Sequence, residues 1–522
     1  MANNLIYKVI KKNKLAITKF ANYTDEIAKI IAYKKNLPGK LIVVTSMSPN
    51  PSGEGKTTTL IGLVDGLNKL HKKCIGVLRE PSLGPVFGMK GTATGSNKSS
   101  LIPADKINLH FTGDMHAITT ANNLISAIIE NEIYQNSPLN IDPKKIVWKR
   151  CIDINDRGLR HVSLLDINKN HDVINTSFNI TAASDLMALF CLSNTIEEFR
   201  DKLNESVVAF TYEDQPIKIK DLQIIDALMT ILSDAFYPNL VQTLENNPII
   251  IHGGPFANIA TGCSSLFGIK TGLSLSDITV TEAGFGSELG LEKFMNIAAQ
   301  QGGLKPNLIL LVISLKSVLY YGKGVSNDVY KQIDLGYKNV KHHLNHCRKY
   351  KIPVVIAINH RVEDNPEQLN YLIKLLKEDK VSFEINDSWS LGSLGTKNLA
   401  RLVLKEIDND LKYEPLYQKN DEIVQKITKI ALNAYGSDDI VIDQNVIDKL
   451  NAFKKDNDWK NYSICIAKSP YLINGNENNE SKIYIKNVEI NWAAKLIIPF
   501  ISTIYKMPGL PKNPIAKNFK FK

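Results

Sequence analysis

The amino-acid sequence predicts an α/β protein, with a mostly parallel β-sheet, helices on both faces and smaller appended domains. Three observations carry this. Short continuous apolar runs recur, namely Leu41-Ile-Val-Val44, Cys74-Ile-Gly-Val-Leu78, Ile249-Ile-Ile251, Ile278-Thr-Val280, Leu308-Ile-Leu-Leu-Val-Ile313 and Val354-Val-Ile-Ala-Ile358, which suits strands buried on both faces. Helix-period stretches separate most of them. Glycine-rich or charged segments follow the runs directly, and open α/β sheets bind ligands at that carboxyl edge.

Residues 1–39 are expected to form one or two short helices, with Ile27, Ile30 and Ile31 at helical spacing and Pro38-Gly39 as punctuation. The first core strand then runs into Pro51-Ser-Gly-Glu-Gly-Lys-Thr-Thr58 and the helical pattern Leu60-Ile-Gly-Leu-Val-Asp-Gly-Leu67. Strand, loop and helix in this order form a nucleotide phosphate cradle, P-loop NTPase-like, in which backbone amides and a helix N-terminus point at anionic oxygens. Pro51, Ser52, Gly53, Glu54, Gly55, Lys56, Thr57 and Thr58 are the expected ATP or GTP contacts. Lys56 is placed to reach the terminal phosphates and Thr57 to hold Mg²⁺. Asn50 stands where the strict pattern has its first glycine, so the opening turn is a variant.

The second strand candidate ends on Arg79-Glu80 and a Pro/Gly-rich segment to Gly91. Arg79 offers a planar, permanently charged fork for carboxylate or phosphate. An ordinary surface ion pair is the alternative. His110, Asp114 and His116 lie close in sequence. Their spacing is no recognised metal set, and Asp114 is the better candidate, near Mg²⁺.

Residues 105–240 are richer in helical periods than in buried runs and are expected to be an inserted, mainly helical domain. The strand-and-helix alternation resumes afterwards, so 1–104 and 241–410 make a discontinuous nucleotide-binding α/β domain, with 411–522 a C-terminal domain. His252-Gly-Gly-Pro and Thr281-Glu-Ala-Gly-Phe-Gly286 sit at strand ends, either approaching a ligand or making tight turns. His342, His343, His346 and Cys347 fall on one stretch of helix and are expected on a solvated face. Asn474–Ser481 suits a surface hairpin or mobile loop, and Met507-Pro-Gly-Leu-Pro511 an extended segment able to pack over a site.

A length of 522 residues with 44% hydrophobic and 22% charged residues allows several domains with large cores. The net charge of +10 comes from dispersed Lys without basic blocks interleaved with aromatics, which argues for anionic substrates over nucleic acid. Six scattered cysteines without a C-x-x-C pair signal neither a disulfide framework nor a zinc site. No apolar run reaches the ~20 residues of a membrane span, and no leader pattern opens the chain, so the cytoplasm is expected.

Six segments in order now resemble one family: Pro51–Thr59, Leu78–Gly91, Asn108–Ile118, His252–Ala260, Thr281–Gly286 and Met507–Pro511. The chain is similar to formate–tetrahydrofolate ligases almost end to end. The resemblance implies a homotetramer that joins formate to tetrahydrofolate with ATP and Mg²⁺, through formyl phosphate, giving 10-formyltetrahydrofolate, ADP and phosphate. A monovalent cation is a further cofactor it allows. It assigns Lys56, Arg79 and Glu80 to catalysis, Arg79 as the clamp on formyl phosphate, and Trp389, Arg361 and Ile385 to the folate. Departures fall at the glycine-rich and folate positions. Lys90-Gly-Thr-Ala-Thr-Gly-Ser-Asn-Lys98 lacks family glycines and a Tyr, Arg361 replaces a Phe opposite Trp389, Leu391-Gly-Ser-Leu-Gly-Thr396 lacks two charges, and Lys316-Ser-Val-Leu319 lacks an Arg-x-x-Lys pattern. The alternative is a paralogue that binds nucleotide or a folate-like ligand without completing formyl transfer.

Overall fold

Alternate residues of the apolar runs sort onto two faces, as a strand period of two demands. The computed structural model describes residues 5–34, 39–48, 50, 53–165, 173–324, 327–409, 412–454, 458–469, 472–473 and 482–519. Pro38, Pro51, Ser52 and Asn474–Ser481 lie outside them. The main sheet has twelve strands: β1 (Ile17–Asn22), β2 (Ala28–Tyr33), β3 (Lys40–Ser46), β4 (Cys74–Leu78), β5 (Gly95–Ser96), β6 (Ser99–Ile102), β7 (Asn239–Thr243), β8 (Pro248–Ile251), β9 (Ile278–Glu282), β10 (Pro306–Ile313), β11 (Val354–Asn359) and β12 (Phe383–Asn386). Their order is β1-β2-β7-β8-β4-β9-β3-β10-β11-β12, with β6 joined to β7 and β5 to β6.

From β8 to β12 every pairing is parallel. The strands around β7 pair antiparallel, so the sheet is mixed, with a parallel centre.

Helices cover both faces. On one, Ile42, Val44, Val280, Leu310 and Ala357 pack with Leu60, Leu63, Val64 and Leu67 of α1 (Lys56–Lys69) and with Leu399 and Val403 of α5 (Lys397–Glu406). On the other, Leu41, Val43, Ile309, Leu311 and Ile356 meet α2 (Leu266–Leu275), α3 (Val329–Arg348) and α4 (Pro366–Glu378) through Ile269, Val340, Leu344 and Leu372. A third apolar cluster joins Ile423, Ile427, Leu450, Ile464, Ile485 and Ile497 in the C-terminal region.

Two expectations change. Among the described residues of the first segment, Leu5–Lys12 alone is helical; Ile30 and Ile31 lie in β2. That run gains more from edge pairing with β7, where Asn239 stands opposite Lys29, than from a short isolated helix. Residues 105–240 mix structure types. The 21-residue helix Asp114–Tyr134 stands beside a three-stranded sheet of Ile141–Ile146, Val207–Thr211 and Pro216–Lys218. Proline-containing strands such as these hide from periodicity.

Candidate active site

Because the central strands are parallel, Ser46, Arg79, Glu282, Ser314, Asn359 and Asn386 emerge at one edge. The loop that enters α1 lies there. Gly55 has φ 75°, and a Cβ on it would stand 2.3 Å from Asn359 Nδ2, so both conformation and closeness demand glycine. Asn359 Nδ2 in turn donates to the Glu54 carbonyl at 3.0 Å. Glu54 is buried: its Oε1 accepts from Asn50 N and Nδ2 at 3.1 and 3.0 Å and from Ser317 Oγ, and its Oε2 from Ser314 Oγ at 3.0 Å. Asn50 thereby fixes, by side-chain bonding, the turn that the strict pattern gives to glycine. Glu54 serves the loop from beneath, with its carboxyl pushed up by burial against the lowering hydrogen bonds.

The cations converge on Glu282. Thr57 Oγ1 donates to Glu282 Oε2 at 2.8 Å, and Arg79 Nη2 lies 3.9 Å from Glu282 Oε1. Arg79 Nη1 donates to the Pro255 carbonyl at 3.2 Å, while its buried Nε has no partner among the described residues. Lys56 Nζ donates to Ser46 Oγ at 3.0 Å. Burial lowers the Lys56 pKa, opposed by Glu282 and Glu54 and reinforced by Arg79. Lys90 is exposed as a residue, and its pKa is lowered to about 8 by desolvation of its ammonium and then by Arg79. Lys56 and Thr57 at the start of α1 and Arg79 after β4 therefore gather around Glu282. Glu282 and Ser46 are the unpredicted residues of this group, since the adjacency of β9 to β3 and β4 is a fact of topology.

Glu80 points elsewhere. Its backbone N–H donates to Gly253 O at 2.8 Å, and burial followed by repulsion from Asp114 raises its carboxyl pKa well above the usual range. Asp114 Oδ1 pairs with Lys29 Nζ at 2.5 Å and its Oδ2 accepts from Asn239 Nδ2 at 2.7 Å. Both oxygens are engaged, Oδ1 by Lys29 reaching in from β2 and Oδ2 by Asn239. His110 and His116 are exposed.

Of the residues expected to meet the folate, Arg361 and Trp389 follow the ends of neighbouring strands β11 and β12, and Ile385 is half-buried on β12. Trp389 is 44% exposed and its carbonyl accepts from Lys98 N at 3.2 Å. Arg361 Nη2 donates to the Gly53 carbonyl at 3.2 Å, which ties it to the phosphate loop instead of an aromatic face. The two loops are joined behind: Thr396 Oγ1 donates to Gly62 O at 2.8 Å, and a Cβ on Gly62 would meet Ser388 Cβ at 2.3 Å.

His252 is a core residue, donating from Nε2 to Ala235 O at 2.8 Å, and burial lowers its pKa to about 3. The expected solvated face of α3 is corrected. His343, His346 and Cys347 are buried, because polar partners from other elements meet them inside. Met507 is buried too, its carbonyl accepting from Arg160 Nε at 2.9 Å. The segment continues so that Ile515 N donates to Gly88 O at 2.9 Å, bracing the stretch after Arg79.

A family model described as formate–tetrahydrofolate ligase matches residues 2–522. Proteins of that name are similar to the chain: one from Ureaplasma parvum at 49% identity, covering 99% of each chain, and one from Malacoplasma penetrans at 44%, covering 100% of this chain and 98% of its own. A third, from Staphylococcus aureus, is 41% identical over 92% of this chain and 88% of its own.

Proposed function

The chain belongs to the formate–tetrahydrofolate ligase family, and from that premise we propose how its residues divide the reaction. The activity is ATP-dependent ligation of formate to tetrahydrofolate. Formate is a poor acyl donor until one of its oxygens becomes part of a phosphate leaving group. In the first step that oxygen attacks the γ-phosphorus, the bond to ADP breaks, and formyl phosphate forms. Lys56 and the loop amides neutralise charge on the equatorial oxygens. Arg79 clamps the migrating phosphoryl group with its fork.

In the second step N10 of tetrahydrofolate attacks the formyl carbon, phosphate departs with the C–O bonding pair, and N10 loses its proton. Proximity dominates here. Trp389 stacks on the pterin with Ile385 behind it, and Arg361 holds the loop between the two ligands. The departing phosphate takes the N10 proton, and Glu80, buried just after β4 and turned toward Asp114, supports the neighbouring Arg79 from behind. The Thr57 hydroxyl and Glu282 carboxylate offer the hard oxygens that Mg²⁺ prefers. Magnesium bound there supplies charge neutralisation at phosphate oxygens. A monovalent cation, a P-loop NTPase-like cradle, a cytoplasmic location and a homotetramer complete the proposal.

The observation that supports this most is the meeting of Thr57 and Arg79 on Glu282. ADP release by the purified protein tests it. Release that needs formate and is driven to 10-formyltetrahydrofolate by the folate is expected; formate-independent hydrolysis contradicts it.

A further inference from the structure

Behind the phosphate loop runs a chain of buried polar groups that the reaction above does not use. Ser48, His343, Ser287, His346 and Tyr350 are each 1% exposed or less. The direction of their hydrogen bonds follows from one group that can only donate. The backbone N–H of Ser48 lies 2.8 Å from His343 Nε2, with Ser48 Oγ at 2.9 Å from the same atom. Nε2 therefore accepts and carries no proton, which puts the ring proton on Nδ1. Nδ1 stands 2.8 Å from Ser287 Oγ and donates to it. The Ser287 hydroxyl donates in turn to His346 Nδ1 at 2.9 Å, and His346 Nε2 donates to Tyr350 Oη at 3.0 Å. Every link points the same way.

The relay connects to the C-terminal region. Glu288 Oε1 pairs with Lys468 Nζ at 3.2 Å, both side chains fully buried, and Glu288 Oε2 lies 3.5 Å from His343 Nδ1. Lys468 thus neutralises the carboxylate beside the ring. Without it, Glu288 would favour an imidazolium, whose added proton must sit on Nε2 and oppose the Ser48 N–H.

We propose that His343 is a positioning residue for ATP: its unprotonated Nε2 fixes the backbone from which the phosphate loop starts, and Lys468 preserves that state by neutralising Glu288. This rests on the nucleotide site assigned above. Ser48 stands two residues before Asn50, which ties the loop to Glu54. The charged or titratable groups facing the ring are Glu288, Lys468, His342 and His346, with Tyr321 acting through Ser48. Burial first, then His342 and Lys468, keep the ring neutral.

The test separates ATP from folate. His343→Leu should raise the KM for ATP about tenfold, the loss of one buried hydrogen-bonded link, with the KM for tetrahydrofolate within about twofold. His343→Gln, whose amide can accept from Ser48 and donate to Ser287, should recover most of it. Lys468→Met should show an ATP KM that worsens as pH falls from about 8 to about 6, where the unmodified protein stays flat. An unchanged ATP KM in His343→Leu, equal rises for both substrates, or no rescue by Gln would overturn the proposal. Should the Leu variant fail to fold, neutron diffraction from the unmodified protein decides: deuterium on His343 Nδ1 is expected, and deuterium on Nε2 overturns it. ADP titration of the unmodified protein distinguishes the two levels. No binding removes the nucleotide site and this inference together, whereas normal binding that His343→Leu leaves intact removes the inference alone.

Discussion

Two polar clusters flank the carboxyl end of β3, one gathered around the Glu282 carboxylate and one threaded through two histidine rings. On the cleft side, the buried Arg79 Nε meets no acceptor among the described residues, and Lys56 Nζ donates to Ser46 Oγ at 3.0 Å. On the interior side, both ring nitrogens of His343 and of His346 are engaged. Buried donors with room for a further acceptor suit the anion that the proposed reaction brings there. Satisfied ones make a scaffold that holds shape. The same chemistry therefore serves binding in one place and rigidity in the other.

Substitutions can break that contrast, and the cleft should respond more strongly. Lys56→Ala should lower kcat by about a hundredfold or more, the size of losing one aimed charge stabiliser; steady-state turnover checks it, and near-normal turnover removes Lys56 from the phosphoryl step. Arg79→Lys keeps the charge and loses the fork, so kcat should fall by about tenfold or more, read with formate and ATP saturating. Trp389→Ala removes a stacking face worth about 0.5–1.5 kcal/mol, raising the KM for tetrahydrofolate by about two- to tenfold with the KM for ATP unchanged.

The interior should respond in stability. His252 has a pKa of about 3 in the fold against about 6.5 in the unfolded chain. As pH falls below about 6.5 the unfolded state takes up a proton that the folded state refuses, so stability drops by about 1.4 kcal/mol per pH unit from this residue. Denaturant unfolding of His252→Asn across pH should show that slope removed and kcat little altered. A slope equal to that of the unmodified protein would place the buried proton balance elsewhere.

The strands of the parallel centre and the loop that enters α1 were legible in the sequence, because runs such as Leu308–Ile313 have no competing helical period and Gly-Lys-Thr has a specific backbone job. Arg79 was legible from its place after a strand. Glu282 was not, since its role depends on β9 lying between β3 and β4, an order that no local pattern encodes. His343 and His346 read as surface residues because histidines at helical spacing look amphipathic; only the approach of Ser48 and Ser287 from other elements explains their burial. Arg361 was expected against a pterin, yet its guanidinium reaches a carbonyl that Gly53, at φ 80°, turns toward it.

The account depends most on an oxygen of formate reaching phosphorus in the pocket lined by Lys56, Arg79 and Glu282. Turnover with ¹⁸O-labelled formate measures this directly, by mass analysis of the phosphate released. One labelled oxygen in each phosphate is the predicted result. Phosphate carrying no label would contradict the account.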